Sequence, residues 1–444
     1  MNIILLSGGS GKRLWPLSND VRSKQFIKLL KNDQGGYESM LQRVYRQITA
    51  VDAEANITIA TSKSQASAIK NQLGGKVSIC VEPCRRDTFP AVLLAAAYLH
   101  DELGVDGNEA VVVCPVDPYV DCTYYESVKK LQELAESGGA NLTLMGIEPV
   151  YPSEKYGYII PEDGEDISRV REFREKPDME TAKRYLAQNA LWNAGIFAFR
   201  LDYLLDKGRT MTSFEDYRDL FNRYSSLAKI SFDYAVAEKE SSIQVLRYRG
   251  DWRDVGTWNM MAEVMADRVK GRAMLDDACE NTHVVNELNI PILCMGCRDM
   301  VVAASGDGIL ISDRERSGYM KPYVEKIETG ARYAEKSWGT YTVIDVQPGS
   351  MTIKVSMKAG ERMSYHMHND REEVWTVVSG RGKAVVDGME QMLRVGDVVT
   401  IAPGCKHTVE AVTDLDMVEV QLGEEISVGD KIKFPMEQAA RQRL

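Results

Sequence analysis

From residue 1 to about 265, short apolar runs alternate with stretches of helical periodicity. Ile57-Thr58-Ile59-Ala60, Val77-Ser78-Ile79-Cys80-Val81, Val111-Val112-Val113-Cys114 and Leu142-Thr143-Leu144-Met145 read as strands, and the alanine- and leucine-rich stretch from Phe89 to Leu103 reads as a helix. Apolar strands separated by helices predict a Rossmann-like α/β layer, a mostly parallel sheet covered on both faces. Ligands of such sheets bind outside the carboxyl ends of the strands. Between 266 and 330 the chain turns to short strands and turns, such as those flanking Gly306-Asp307-Gly308, which predicts a small β connector. Beyond Ser337-Trp338-Gly339-Thr340 the period becomes two, in Tyr341–Val346, Met351–Met357, Val374–Ser379, Lys383–Val386 and Met417–Gln421. Glycine turns between several of these runs predict an antiparallel β-barrel or jelly roll. The expected domains are 1–265, 266–330 and 331–444.

The net charge of −11 over 444 residues excludes a general nucleic-acid binder, which needs a basic surface. An anionic substrate must then meet a local basic site or a metal ion. We find neither a cationic region followed by an apolar stretch and cleavage site nor an apolar run of ~20 residues, so the expectation is a cytoplasmic chain with no membrane partner. The eight cysteines are scattered and read as reduced thiols. Cys294-Met295-Gly296-Cys297 is a lone C-x-x-C, and a structural zinc site would need a second pair.

The N-terminus concentrates the chemistry. The apolar run Ile3-Ile4-Leu5-Leu6 breaks into Ser7-Gly8-Gly9-Ser10-Gly11-Lys12-Arg13-Leu14-Trp15-Pro16-Leu17-Ser18, and Lys24-Gln25-Phe26 follows. Glycines let backbone amides approach phosphate oxygens, and cations neutralise charge that builds as a phosphorus–oxygen bond breaks. The spacing is not that of a P-loop, and Leu14 stands where the dinucleotide fingerprint has its third glycine. Two carboxylates could hold a divalent ion beside such a loop: Asp117, which ends an apolar strand, and Asp254 in Asp251-Trp252-Arg253-Asp254-Val255-Gly256-Thr257-Trp258.

The loop resembles the signature of sugar-1-phosphate nucleotidyltransferases, Gly-Gly-x-Gly-x-Arg-Leu-x-Pro-Leu with a downstream Lys-Gln-Phe. Further segments fall in the order seen in mannose-1-phosphate guanylyltransferases. They are the Glu82-Pro83 to Ala91 segment, Glu154 to Ile159 with Tyr156-Gly157, Phe173-Arg174-Glu175-Lys176-Pro177, Leu191-Trp192-Asn193-Ala194-Gly195, Phe232-Asp233-Tyr234-Ala235, and Asp254 to Trp258. The resemblance implies that Gly8, Gly9, Gly11, Arg13 and Lys24, with Glu82, Arg86, Asp87 and Thr88, bind the nucleotide. It implies that Asp117 and Asp254 hold Mg²⁺, and that Tyr156, Gly157, Glu175, Lys176, Asn193 and Gly195 surround the sugar phosphate. Arg13, Lys24, Asp117 and Asp254 would be the catalytic set. The chain departs from the pattern at Asn19 (usually Arg), Ser23 (usually Pro), Asp87 (usually Asn), Phe89 (usually small) and Pro118-Tyr119 (usually beginning with His). A carboxylate at 87 could accept from guanine N1–H and N2–H₂ or from cytosine N4–H₂.

In the C-terminal part, Gly360-x₅-His366-x-His368-x₄-Glu373-x₆-Gly380 matches the first cupin motif, and Gly396-Asp397-x₄-Ala402-Pro403-Gly404-x₂-His407 resembles the second. With period two, His366 and His368 share a face and could bind a divalent transition metal, zinc or similar, together with Glu373 and His407. A cupin behind a guanylyltransferase domain resembles the bifunctional mannose-6-phosphate isomerase/mannose-1-phosphate guanylyltransferase architecture. The likeness is looser here: His366 replaces a Gln, Asn369-Asp370 replaces His-His, and the basic tail is reduced to Asp430-Lys431-Ile432-Lys433-Phe434. Isomerase activity, a different cupin substrate and a structural role therefore all stay open.

The sequence reading is thus Mg²⁺-dependent nucleotidyl transfer from GTP to mannose 1-phosphate in a homodimer. Its alternatives are another nucleotide such as CTP, another sugar phosphate or phosphonate, or a nucleotide-sugar-sensing protein with a structural cupin.

Overall fold

The computed structural model describes residues 1–9, 12–19, 21–327 and 331–435. By their contacts the residues form two compact units, one made of 1–10, 23–66 and 73–266, the other of 11–22, 67–72 and 267–444.

The first unit is built on a nine-stranded sheet. Its order is Ser78–Glu82, Asn56–Ser62, Asn2–Ser7, Ala110–Pro115, Leu191–Arg200, Leu142–Ile147, Ile243–Tyr248, Ile167–Arg174 and Tyr158–Pro161. Seven of these strands run one way, and Leu191–Arg200 and Ile167–Arg174 run against them. The sheet is therefore mixed while keeping the parallel bias expected of it. Ile3, Ile4 and Leu5 and the run Ala110 to Val113 are wholly buried, as continuous apolar strands covered on both faces must be. The alanine- and leucine-rich segment forms the helix Thr88–Asp101, apolar all round, with ten buried residues. A helix without a polar face can only be a core helix, and Leu93 on it packs so closely that a Cβ on Gly208 of the helix Leu201–Thr212 would lie 2.3 Å from its Cδ1.

Two features of this sheet position side chains. The strands Asn2–Ser7 and Ala110–Pro115 are neighbours and end at the glycine loop and at Asp117 respectively. The short strand Trp252–Asp254 pairs with Pro118–Val120, register Asp254 to Pro118, which brings the second predicted carboxylate alongside the first.

In the second unit, Val269–Lys270, His283–Asn286 and Met300–Ser305 pair in parallel, and Gly308–Asp313 closes that sheet antiparallel. Ala273–Leu275 and Ile292–Cys294 make a second parallel pair. The connector is thus a short parallel coil. Strands this brief do not reveal their pairing direction in sequence. Cys279 and Cys294 fill its small core beside Val284 and Val302, and all eight cysteines are free. The C-terminal strands form a six-stranded sheet running from Tyr333–Lys336 to Val398–Ile401 and a five-stranded sheet running from Met389–Leu393 to Lys431–Lys433. Their inward faces meet in a core containing Trp375, Val355, Ala384, Val409 and Met417, the double-sheet arrangement expected of a cupin. No helix among the described residues is long and apolar enough to cross a membrane.

Candidate active site

At the carboxyl end of the Asn2–Ser7 strand lies a cleft of about 400 Å³. Gly8, Gly9, Lys24, Glu82, Asp87, Thr88 and Asp117 line it, together with Arg85 and Lys229, which sequence reasoning had not singled out. A Cβ on Gly8 or Gly9 would meet no atom within 4 Å, so the loop leaves open space above its backbone, and Gly9 has φ +113. The loop is thus open rather than a packed turn, the geometry that backbone amides need to approach a phosphate. The Lys24 ammonium lies 3.0 Å from Asp117 Oδ2 and donates to the Val255 carbonyl at 3.3 Å. An ammonium and a carboxylate facing one cradle can bind a phosphate and a cation respectively.

Behind the loop is a buried polar network. Gln65 Nε2 donates to the Gly9 carbonyl at 3.2 Å and to Ser23 Oγ at 2.6 Å, and Gln25 Nε2 donates to Ser7 Oγ at 3.1 Å. Ser23 Oγ in turn donates to the Gly9 carbonyl at 3.3 Å, and Arg85 donates to the same oxygen from the cleft side. Gln65 is fully buried, and nothing in the polar run around it marks it in sequence. Ser23, one of the departures from the family pattern, takes its place in this network as a hydrogen-bonding residue.

Asp87 caps the helix Thr88–Asp101, accepting from Thr88 N at 2.8 Å, with φ +71 and ψ −177. That backbone region is costly for any residue with a Cβ, by roughly 1–3 kcal/mol, and strain of this kind gathers at ligand clamps. Glu82 accepts from the Tyr224 hydroxyl at 2.6 Å, and burial raises its pKa. Arg86 donates to the Ser225 carbonyl and is not among the residues lining the cleft. Arg13 is exposed on the short helix Lys12–Leu14 and groups with the second unit. Gly11 lies outside the described residues.

The predicted sugar-side residues meet in a second cluster. Leu191–Arg200 carries a register shift between Asn193 and Phe197, with Gly195 at φ +70, and bulges of this kind re-aim side chains next to sites. Asn193 Nδ2 donates to Asp233 Oδ1 at 2.7 Å, and Asn193 Oδ1 accepts from Gly195 N at 3.0 Å. Glu175 is 8 % exposed and accepts from Lys176, and a Cβ on Gly157 would lie 2.4 Å from its Oε2. Tyr156 stacks at a tilt on Trp192, ring centroids 4.7 Å apart. Asp233 was legible only as part of a motif. Burial, and then the charge of Glu175, lifts its carboxyl to about 6.

In the cupin, His366 and His407 face each other across paired strands, His368 follows on the same face, and all three are buried. Each ring is held through Nδ1 by a backbone carbonyl: Ser364 at 2.6 Å, Asp430 at 3.1 Å and Cys405 at 3.0 Å for His366, His368 and His407. With Nδ1 donating, the Nε2 lone pairs are left for a ligand. The three histidines' ligating atoms lie within 4.8 Å of one another. His407 Nε2 has no hydrogen-bond partner among the described residues. Burial lowers the His366 and His368 pKa values to about 2 and about 4, so both imidazoles are neutral at physiological pH. Glu373 reaches across from the other sheet, 3.2 Å from His368 Nε2 and 3.4 Å from His407 Nε2. Three imidazoles and a carboxylate are a donor set that fits a divalent transition metal. Arg371 is already bound there, at 3.1 Å to Glu373 Oε1 and 2.9 Å to His368 Nε2, so a metal must displace the latter contact. Glu419, buried beside Glu373, has its carboxyl raised to about 8 by burial and by that neighbouring charge.

Comparison with known proteins agrees with this division. The nucleotidyl transferase family profile matches residues 2–271, and that of the mannose-6-phosphate isomerase C-terminal family matches residues 325–436. The chain is 32% identical to the xanthan biosynthesis protein XanB of Xanthomonas campestris pv. campestris, over 97% of each chain. It is 29% identical to a mannose-1-phosphate guanylyltransferase of Escherichia coli K12, again over 97% of each. A solved Thermus thermophilus structure, described as a mannose-1-phosphate geranyltransferase, shares 27% identity with a TM-score of 0.60, covering 74% of this chain and 99% of its own.

Proposed function

The chain belongs to the nucleotidyl transferase family, and from that premise we propose that it joins GTP and mannose 1-phosphate into GDP-mannose with release of pyrophosphate. The observation that carries the reading is the open glycine cradle with Lys24 and Asp117 at the ends of adjacent strands. Full-length similarity to a guanylyltransferase supports the choice of base and sugar.

In this reading the backbone of Gly8 and Gly9 receives the phosphates. Lys24 leaves Asp117 for a phosphate oxygen and, with Arg13, neutralises charge as the mannose 1-phosphate oxygen attacks the α-phosphorus and pyrophosphate departs. Asp117 and Asp254 are the carboxylates that would hold Mg²⁺, which when bound screens the charge of both substrates. Asp87 and Glu82 offer acceptors to guanine. Glu175 and Asn193 address sugar hydroxyls, Lys176 the sugar's phosphate, and Tyr156 with Gly157 and Gly195 shapes the pocket around them.

The histidine set supports a second activity, metal-dependent isomerisation of mannose 6-phosphate, with His366, His368, Glu373 and His407 as ligands of zinc or a similar ion. We also propose domains at 1–265, 266–330 and 331–444, a homodimer, and a cytoplasmic setting, which suits the eight free thiols. A monomer mass by light scattering would remove the homodimer.

Mass spectrometry of products formed from mannose 1-phosphate, Mg²⁺ and an equal mixture of four nucleoside triphosphates tests the main reading. GDP-mannose alone is the expected product. A cytidine or uridine sugar nucleotide would keep the chemistry and overturn the base, and no nucleotide sugar at all would overturn the reading.

A further inference from the structure

The stretch between the glycine loop and Lys24 is held by the second unit. Residues 11–22 group with 267–444, whereas the chain on either side of them does not. Arg22, 8 % exposed, makes a bidentate pair with Glu287, Nη1 to Oε2 at 2.7 Å and Nη2 to Oε1 at 3.0 Å, and its guanidinium lies 4.6 Å from the Tyr333 ring centroid. Asn19 Nδ2 donates to Asp307 Oδ2 at 2.7 Å, while Asn19 Oδ1 accepts from the amides of Val21 and Arg22. Ser305 Oγ donates to the Pro16 carbonyl at 2.6 Å. Trp15 packs so tightly that a Cβ on Gly308 would lie 2.4 Å from its ring.

These contacts bear on catalysis by chain continuity. Arg13 lies inside the clamped stretch, and Arg22 is two residues before Lys24. The family pattern has proline at 23, which would fix one dihedral of the approach to Lys24. Serine fixes none, so the order must come from contacts. A buried, bidentate guanidinium–carboxylate pair is directional in a way that a point-charge contact is not.

We propose that Glu287 and Asp307, acting through Arg22 and Asn19, are positioning residues for nucleotidyl transfer, so that the C-terminal unit sets the stretch carrying Arg13 and leading into Lys24. The inference rests on the nucleotidyl-transfer reading above.

The test is Glu287→Gln in the full-length chain, isosteric but uncharged, assayed by pyrophosphate release, with Asp307→Asn beside it. For Glu287→Gln, kcat should fall about 10- to 100-fold, the scale of a small misplacement of reacting groups. KM for the sugar phosphate and the cupin's affinity for added zinc should stay as in wild type, and the fall in kcat should exceed what any loss of folded protein at the assay temperature accounts for. The charge swap Arg22→Glu with Glu287→Arg should recover most of what Arg22→Glu alone loses. If Glu287→Gln does not fold, Arg22→Lys carries the same expectation, because it keeps the charge and loses the fork. Wild-type kcat in the folded variants, or a loss that only follows the melting temperature, overturns the proposal. A wild-type chain inactive with every nucleotide fails the parent reading instead.

Discussion

Replacing Asp233 by asparagine should make the protein more stable at pH 8 and less able to bind its sugar phosphate. Asp233 accepts from Asn193 at 2.7 Å and sits near the Glu175 carboxylate. Burial and that like charge lift its carboxyl from 3.8 to about 6. A native pKa above the unfolded one means that the folded state holds the proton more tightly. The associated stability is complete below about pH 4 and is lost as pH rises through about 6. A shift of roughly two units amounts to about 3 kcal/mol at pH 8, with roughly half of it lost between pH 5 and pH 8. Asparagine keeps an acceptor for Asn193 and turns an amide toward Glu175, replacing repulsion by a hydrogen bond. Urea unfolding followed by tryptophan fluorescence at pH 5 and pH 8 measures the difference. The variant should gain on wild type by about 1.5 kcal/mol more at pH 8 than at pH 5. Its KM for the sugar phosphate should rise about tenfold, because Glu175 is then engaged by the new amide. Equal gains at both pH values, or a variant that unfolds more easily at pH 8, would refute the assignment of a raised carboxyl at this position.

Two further outcomes follow from single distances. Gly157→Ala adds a methyl group 2.4 Å from Glu175 Oε2, the free end of a flexible chain, so Glu175 must swing. The fold should survive while KM for the sugar phosphate rises about tenfold, and an unchanged KM would take Glu175 out of the sugar site. In the cupin, elemental analysis should find one divalent transition metal per chain, removable by chelator and absent from His407→Ala, while pyrophosphate release persists. Undiminished metal in that variant would mean that the ion sits elsewhere.

The strands and the first-domain helix were legible because each is a continuous apolar run of the right length. The expected helix from Phe89 to Leu103 is found as Thr88–Asp101, and the expected strand Val111–Cys114 as Ala110–Pro115. The cupin's histidine cluster was legible because a period of two forces His366 and His368 to one face. Less could be read where function comes from long-range pairing. Nothing near Gln65 foretells that its amide holds the Gly9 carbonyl, and the parallel coil of the connector depends on pairings between residues such as Val284 and Val302 that no local pattern encodes. Adjacent arginines are hard to tell apart in sequence for a similar reason. Arg86 matches the motif, yet Arg85 is the one lining the cleft, and only backbone direction decides between neighbours. The departures at Asn19 and Ser23 became intelligible once their partners, Asp307 and Gln65, were known.

The most direct test of the central claim is pyrophosphate release by the full-length protein with Mg²⁺ and mannose 1-phosphate, offering GTP, CTP, UTP and ATP separately, in wild type and Asp254→Ala. The account predicts release with GTP in wild type and loss of most turnover in a folded Asp254→Ala variant. Full activity in that variant, or silence of the wild type with every nucleotide, would contradict it.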